Sequence, residues 1–486
     1  MNTGHAIDPP VHAVPDRPAL VVGDTVCTYR ELEDTTRRVA AALAAAGVGP
    51  GDRVALVDLG SVLAVATILA CARLGAASAQ MNAYLTPAEL GQLVGLVGAT
   101  VGVAGADHAD RLAAALDGRV LGLADVAAAD PAGAPATTGD PDDTALVLFT
   151  SGTTGLPKPV SISHRVLADR LAYYGKPIDP GAPQVVDMMS APIFHIGGTL
   201  GLLVSLHQGK QLVVLPRFDA GTWLAQVERH RVAQTFVVPT MLRRVLDHPD
   251  FGSTDLSSLR SLSYGAAAAP VDLVRRAMAA LPGVDFSNTF GQTETLGAYA
   301  SLTPDDHRRG DRFGSVGRPL PGVEVRIVDP SNREPVPDGD TGEFWVRAAQ
   351  NTTEEWLRTG DTGWRDDEGY LFLAGRISDT INRGGEKFGP VEVEEILRTH
   401  PFVADVGVVG VPDEELGERV GAVVVTSGPV TPQELVAHCA DHMATYKVPE
   451  FVVLAEELPT SVLGKLDRRG LRERLASAPR VPRGGA

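Results

Sequence analysis

Ala145-Leu146-Val147-Leu148-Phe149-Thr150-Ser151-Gly152-Thr153-Thr154-Gly155-Leu156-Pro157-Lys158 runs from an apolar stretch into a turn of glycines and hydroxyls that ends on a lysine. Residues 145–149 read as a short buried strand. The turn offers close backbone approach, a row of N–H groups, four hydroxyls and one mobile cation, all suited to a polyphosphate. It is not a Walker loop: Lys158 lies between Pro157 and Pro159, so no Gly-Lys-Ser/Thr opens a helix and holds magnesium. Taken alone, the turn fits kinase or ATPase chemistry equally well, or an ordinary glycine turn with a solvated lysine.

On either side the pattern is β then α. Helical spacing over 29–46, a break at 47–51, a buried strand over 53–59 and a helix over 62–74 form the first unit. Further strands are predicted at 211–215, 235–238 and 259–263, and parallel sheets with covering helices accommodate such a rhythm. Residues 133–143, rich in Gly, Pro, Thr and Asp, form a surface connection. After about 310 the texture changes to short β-like runs, 323–328 and 342–346. Beyond 376 it changes again, to a helix at 391–398 and strands at 405–411 and 420–426. The expectation is an α/β chain: a large N-terminal domain of βα-layered sheets, 1–377, and a small α+β C-terminal domain, 378–486, ending in a frayed tail over 476–486.

A chain of 486 residues exceeds one hydrophobic core, and 44% hydrophobic with 21% charged residues is ordinary for a folded globular protein. The net charge of −17 argues against nucleic acid as a partner. Cys27, Cys71 and Cys439 are dispersed without C-x-x-C spacing, which suggests neither a disulfide framework nor a zinc site and fits a reducing cytoplasm. Residues 1–18 lack the basic-then-apolar order of a secretory signal, and the apolar run 62–72 is cut by Arg73, short of the ~20 residues of a membrane span. No membrane insertion is expected.

Four more segments carry chemistry: Phe290-Gly291-Gln292-Thr293-Glu294, Trp356-Leu357-Arg358-Thr359-Gly360-Asp361, Gly375-Arg376 with Asp379, and Pro459-Thr460-Ser461-Val462-Leu463-Gly464-Lys465. Phe290 can stack on adenine, although a lone Phe is more often core. Thr293 can donate to a phosphate oxygen, and Glu294 is a hard oxygen ligand for magnesium. Asp361, at a Gly-Asp turn, can accept two ribose hydroxyls or close an Asx turn. With the loop 150–158, these motifs in this order resemble the signatures of the ANL superfamily of acyl-CoA synthetases, peptide-synthetase adenylation domains and luciferases. The resemblance spans nearly the whole chain.

The resemblance implies a site. Thr150, Ser151, Gly152, Thr153, Thr154, Gly155, Lys158, Gly265, Ala266, Ala267, Asn288, Phe290 and Gly291 surround the nucleotide, with Asp361 and Arg376 on the ribose. Lys465, Thr293, Glu294 and His195 form the catalytic set. Lys465 bridges the attacking carboxylate and the α-phosphate as charge develops, and Glu294 holds Mg2+. His195, Ile196, Gly197, Val238, Tyr264, Gly265, Gly291 and Gly297 line the acyl pocket. Gly384 and Gly385, within Asn382-Arg383-Gly384-Gly385-Glu386-Lys387, line a thiol tunnel. Ser378 is the hinge of a mobile C-terminal domain, where most relatives carry Asp or Lys. Two other departures are Pro159, where Gly is usual, and a short connection over 347–356 that lacks a family segment containing Gly-Tyr.

The implied activity is ATP-dependent activation of a small-molecule carboxylic acid to an acyl-adenylate, then thioester formation with coenzyme A. Ile196 stands where amino-acid-activating relatives place Asp, which points to a plain aliphatic or aromatic acid. Alternative acceptors are the phosphopantetheine of an acyl carrier protein, an amine or nitrite. A non-catalytic subunit that binds acyl or nucleotide ligands is an alternative of another class, and a luciferase-type oxygenase fits on fold alone.

Overall fold

The structure, a computed structural model, describes residues 3–150, 157–353, 355–460 and 466–481. The chain divides into two compact units. One is Met1–Phe313 with Leu320–Val323 and Arg347–Leu357; the other is Gly314–Pro319, Glu324–Val346 and Arg358–Ala486.

The first unit is built on two sheets. In one, strands Asp285–Gln292, Ser261–Gly265, Gln234–Val237, Val186–Met189, Gln211–Val214 and Pro18–Val22 lie side by side in that order, all parallel. Antiparallel strands Gly297–Leu302 and Thr25–Thr28 flank them. The other sheet runs Arg119–Leu121, Val101–Ala104, Arg53–Val57, Ala77–Gln80, Thr144–Thr150 and Lys158–Ser163, parallel except for its last pair.

Side-chain alternation along each strand explains the layering. Leu20, Leu212, Val214 and Met189 of the first sheet and Val54, Leu56, Leu146 and Leu148 of the second enter one central core. It is filled by helices Tyr29–Ala45, Val62–Arg73 and Ile196–His207. Their strand neighbours face the other way. Val21, Val213 and Met188 lie under helices Ala220–His230, Pro239–Leu246 and Val271–Ala280, whereas Ala55, Val57 and Val147 lie under Pro87–Val97. Helix, sheet, helix, sheet and helix therefore alternate.

A helix in the central layer meets apolar surface on every side, which is why Val62–Arg73 has no polar face. Its last residue, Arg73, forks onto the Glu33 carboxylate at 3.0 and 2.6 Å. Thr28 and Glu31 form a capping box at the start of Tyr29–Ala45. The strand expected to reach residue 59 stops at Val57, because Asp58 Oδ1 takes the N–H groups of Gly60 and Ser61 and turns the chain. Among the described residues no helix is long and apolar enough to cross a membrane.

The second unit holds the short strands expected after residue 310, in the order Glu324–Val328, Gly342–Arg347, Leu357–Arg365, Leu371–Arg376, Ser315–Pro319. Its C-terminal portion is a sheet of Glu386–Phe388, Ile381–Arg383, Gly417–Thr426 and Val403–Asp413, with Phe451–Ala455 also on Gly417–Thr426. Helices Pro390–Arg398 and Pro432–His442 share one core with it, and Arg468–Leu475 a second. Residues 314–319, 324–346 and 358–376, which the sequence assigns to the large domain, group by compactness with the C-terminal sheet and its helices. The physical link is close packing: a Cβ on Gly389 would lie 2.2 Å from the Ala374 carbonyl oxygen.

The tail expected to fray does not do so as far as residue 481. Val481 is buried in the C-terminal core, its N–H bonds the Glu450 carbonyl, and Arg480 reaches the Glu450 carboxylate at 2.9 Å. Residues 482–486 lie outside the described residues.

Candidate active site

Ligands of open α/β sheets collect outside the carboxyl ends of the strands. In the first unit, four adjacent parallel strands bring the expected residues to that one edge. Val186–Met189 leads to His195, Gln234–Val237 to Val238, Ser261–Gly265 to Ala266 and Ala267, and Asp285–Gln292 to Thr293 and Glu294. The register sets Val237 beside Tyr264, Tyr264 beside Asn288 and Gly265 beside Thr289. The strand predicted over 259–263 is displaced to Ser261–Gly265, so Gly265 is its last residue.

The glycines here are set by close backbone approach. A Cβ at Gly265 would lie 2.2 Å from the Thr289 carbonyl oxygen, and one at Gly291 2.0 Å from that of Gly297. Ala266 has φ +65°, a left-handed conformation that costs a non-glycine residue ~1 kcal/mol or more. Strain of this kind collects at functional sites.

The side chains on this edge have different fates. The Tyr264 ring is buried in the core under the sheet, and its hydroxyl lies 3.0 Å from His307 Nε2. His307 Nδ1 sits 2.8 Å from the Thr303 carbonyl, so Nδ1 carries the proton and the tyrosine donates to Nε2. Burial raises the Tyr264 pKa and lowers that of His307, which keeps both neutral. Only the main chain of Tyr264 is left for a ligand. Val238 is buried in the same core.

Phe290 is half-buried and meets Tyr299 edge-on, with ring centroids 5.2 Å apart. His195 stands just before helix Ile196–His207, its ring 4.7 Å from that of Phe194. Of the two glycines after Ile196, Gly198 is required by the chain's own path, since a Cβ there would lie 2.1 Å from the Pro192 carbonyl oxygen. Gly197 is exposed, and a Cβ there would make an ordinary contact with Phe236 Cε1 at 3.9 Å. Ile196 packs against the central core.

Thr293 and Glu294 lie on a 3-10 turn, Thr293–Thr295. The Glu294 carbonyl accepts from the N–H and hydroxyl of Thr352, at 3.0 and 3.2 Å. Among the described residues the Glu294 carboxylate accepts no hydrogen bond and forms no ion pair, and the Thr293 hydroxyl is also uncommitted. A carboxylate and a hydroxyl left free on a fixed turn are a donor set suited to a hard, oxygen-seeking cation such as Mg2+.

Thr150 and Lys158 pair as antiparallel neighbours on either side of the glycine-rich segment. Ser151, Gly152, Thr153, Thr154 and Gly155 lie outside the described residues. Pro159 is accommodated because Lys158–Ser163 is an edge strand, where a missing N–H is tolerated.

In the second unit, Asp361 and Arg376 stand opposite each other in register, and Arg376 Nε donates to Asp361 Oδ1 at 2.7 Å. Asp361 is thus not at a turn as expected. It is buried within strand Leu357–Arg365, and Gly360 before it has φ +74°. Ser378 is on the short turn Ile377–Asp379, its hydroxyl 3.2 Å from Asp379 Oδ1. Gly384 and Gly385, with φ +62° and +96°, make the two-residue turn of the hairpin Ile381–Arg383 and Glu386–Phe388. That conformation suffices to require glycine there. Lys465 lies outside the described residues. Its flanks are anchored: Thr460 bridges Leu466, and Asp467 N–H bonds the Pro459 carbonyl at 2.8 Å.

Sequence reading misses Arg170, Gln350 and Thr352, which hold the Thr293–Thr295 turn. One signal is available: Leu167, Arg170, Leu171 and Tyr174 share the buried face of helix His164–Tyr174, an unusual place for a cation.

Comparison with known proteins extends this geometry. Residues 9–354 match the AMP-binding enzyme family and residues 392–465 the AMP-binding enzyme C-terminal domain. The chain is similar to feruloyl-CoA synthase of Amycolatopsis sp, 35% identical over 482 residues that cover 95% of this chain and 96% of that one. It is similar to the fatty acid–[acyl-carrier-protein] ligase ScoC of Streptomyces coeruleorubidus, 31% identical over 95% of this chain and 94% of that one. Its fold matches the solved amide bond synthetase McbA of Marinactinospora thermotolerans with a TM-score of 0.86 and 30% identity, over 97% of this chain and 99% of that one. Matched in both parts and along nearly its whole length, the chain belongs to the AMP-binding enzymes, the ANL superfamily of adenylate-forming enzymes.

Proposed function

We propose that this protein is an AMP-forming acid–thiol ligase that activates a plain carboxylic acid with ATP and passes the acyl group to coenzyme A. The observation that carries the reading is the uncommitted Thr293 hydroxyl and Glu294 carboxylate, held at the carboxyl edge of the parallel strands, the edge that also carries the strained Ala266. The full-length likeness to feruloyl-CoA synthase supports coenzyme A as acceptor and an aromatic acid as substrate. The exposed Gly197 beside Phe236 and the apolar Ile196 agree with an uncharged acyl group.

In the first half-reaction a carboxylate oxygen attacks the α-phosphorus of ATP, and the bond to the bridging oxygen of pyrophosphate breaks. Thr150, Lys158 and the turn between them hold the departing pyrophosphate, Thr293 donates to a phosphate oxygen, and Asp361 with Arg376 fixes the ribose. Phe290 stacks on adenine, with Asn288, Gly291, Gly265, Ala266 and Ala267 along it. Lys465 bridges the two anionic reactants. Mg2+, held by Glu294, would offset the charge of the triphosphate. In the second half-reaction the thiol loses its proton and attacks the acyl carbonyl, and AMP leaves. Rotation at Ser378 withdraws Lys465 and brings Gly384 and Gly385 to the thiol.

A second reading, transfer to a carrier-protein pantetheine or to an amine, is favoured by the likeness to ScoC and McbA. The protein is proposed to work in the cytoplasm. Cys27, Cys71 and Cys439 are buried free thiols, which agrees with a reducing compartment.

Pyrophosphate release with ferulate, indole-3-acetate, anthranilate and a long-chain fatty acid, each with and without coenzyme A, tests the reading. At least one acid is expected to elicit release and, with coenzyme A, to give its thioester by mass. Release that yields a thioester only on a carrier protein, or an amide with an added amine, would move the assignment to the second reading. No release with any acid would refute both.

A further inference from the structure

The short connection after Arg347, which departs from the family pattern, has a specific place in the structure. Gln350 Nε2 donates to the carbonyls of Thr295 and Ala298, at 3.1 and 2.9 Å, and its Oε1 accepts from Arg170 Nη1 at 2.5 Å. Arg170 Nη2 also donates to the Ala298 carbonyl, at 3.0 Å. Thr352 holds the Glu294 carbonyl through its N–H and hydroxyl, at 3.0 and 3.2 Å. Three carbonyls in the five residues 294–298 are therefore taken by donors from elsewhere in the chain. The turn closes the paired strands Asp285–Gln292 and Gly297–Leu302 and buries Leu296 in the central core, Thr295 Oγ1 makes local bonds, and Leu296 has φ +46°, away from its preferred conformations.

Arg170 is unusual in its own right. It is 3% exposed, and among the described residues no carboxylate pairs with it. Its guanidinium lies 4.9 Å from the Tyr174 ring centroid and 5.3 Å from that of Tyr173. A buried guanidinium without a carboxylate carries a large desolvation cost, so a stabilising ion pair is not its purpose. What it does is orient the Gln350 amide. It sits on helix His164–Tyr174, which continues directly from strand Lys158–Ser163 at the exit of the glycine turn.

We infer that Gln350 and Thr352 form a strap, oriented by the buried Arg170, that sets the pose of the Thr293–Thr295 turn so that the Glu294 carboxylate meets the metal that accompanies ATP. All three are positioning residues, since none touches the reacting atoms. The inference rests on the proposed role of Glu294. Partners behind a ligating carboxylate typically govern metal affinity ~10- to 100-fold.

The test uses the full chain with Gln350→Ala and, because it perturbs less, Thr352→Val. Two readouts are taken: the shift in thermal unfolding produced by ATP with Mg2+ against ATP with EDTA, and the Mg2+ concentration for half-maximal pyrophosphate release. Gln350→Ala is expected to lose most of the Mg2+-dependent part of the shift and to need about tenfold more Mg2+. The shift with ATP and EDTA and the KM for the acid are expected to stay as in wild type, and excess Mg2+ restores the rate. Thr352→Val changes in the same direction, by less.

Unchanged Mg2+ dependence in both variants overturns the inference and leaves the proposed function standing. A uniform loss of activity with a lowered melting temperature that Mg2+ does not recover shows a merely structural strap and overturns it too. If wild type itself has no Mg2+-dependent shift, the assignment of Glu294 fails and this inference with it.

Discussion

Replacing Lys465 with alanine is expected to slow pyrophosphate release by ~100- to 1000-fold, the range for removing one preorganised charge from a transition state. The attacking carboxylate and the α-phosphate are both anionic, and negative charge builds on the phosphoryl oxygens as the new P–O bond forms. A cation that bridges them stabilises that charge more than it stabilises bound substrates, so the loss falls on kcat rather than on KM. Thr460, Leu466 and Asp467 on either side are fixed by backbone pairing, so the substitution leaves the framework of the C-terminal sheet intact. Thioester formation from acyl-adenylate supplied directly to the variant should proceed within a few-fold of wild type. Equal loss in both half-reactions would mean that Lys465 acts in folding or in nucleotide binding instead.

The largest stability effect is expected at Glu450. Its carboxylate, 7% exposed as a residue, accepts from Arg383 Nε and Nη2 at 2.9 and 2.7 Å, from Arg419 Nη1 at 2.7 Å and from Arg480 Nη2 at 2.9 Å. Alanine there strands the nearly buried Arg383 and the more exposed Arg480, whereas Arg419 keeps Asp413 and Glu415. Removing one partner of a buried charge cluster costs about 3 kcal/mol or more. Because Arg383 anchors the hairpin that carries Gly384 and Gly385, thioester formation should fall along with melting temperature.

The same site sets an acid limit. Burial raises the Glu450 pKa, but hydrogen bonds and charge from Arg383 and Arg419 lower it further, and the net position is below its ordinary 4.5. In the acid range the unfolded chain therefore binds more protons than the folded one, and stability rises with pH. This contribution is fully present above the ordinary glutamate range and is lost as pH falls from there through the lowered pKa of the folded state. Glu450→Gln should flatten the acid limb of a plot of C-terminal unfolding against pH. An acid limb as steep as that of wild type would show that other carboxylates control it.

The layered architecture is legible in the sequence because each strand is short, apolar and succeeded by helical spacing. A strand such as Gln211–Val214, with Leu212 and Val214 on one face and Val213 on the other, can be buried only between two helical layers. Boundaries are less legible. The strand at 53–57 ends on a polar side chain, Asp58, whose capping bonds to Gly60 and Ser61 carry no periodic signal. The grouping of residues 314–319, 324–346 and 358–376 with the C-terminal part is hidden because it depends on contacts such as Gly389 against Ala374, made after the chain has folded back.

For the site, residues within one contiguous motif can be read from order and chemistry. Those that act across the chain cannot. Gly360 suggests a turn at Asp361, whereas the antiparallel partner opposite it, Arg376, lies on the next strand and places Asp361 within the sheet. Gln350 reads as part of a shortened loop, and only its bonds to Thr295 and Ala298 give it a role. The family resemblance implies a pocket position for Tyr264. Strand alternation instead sends its ring into the core, towards His307.

The claim that chemistry occurs at the α-phosphate is tested most directly by tracing oxygen. An acid that elicits pyrophosphate release is supplied with both carboxyl oxygens labelled with oxygen-18, together with ATP, Mg2+ and coenzyme A, and the nucleotide product is weighed. If the carboxylate attacks the α-phosphorus and the thiol then displaces AMP, the AMP carries one labelled oxygen. ADP as the product, or AMP without label, would contradict the account.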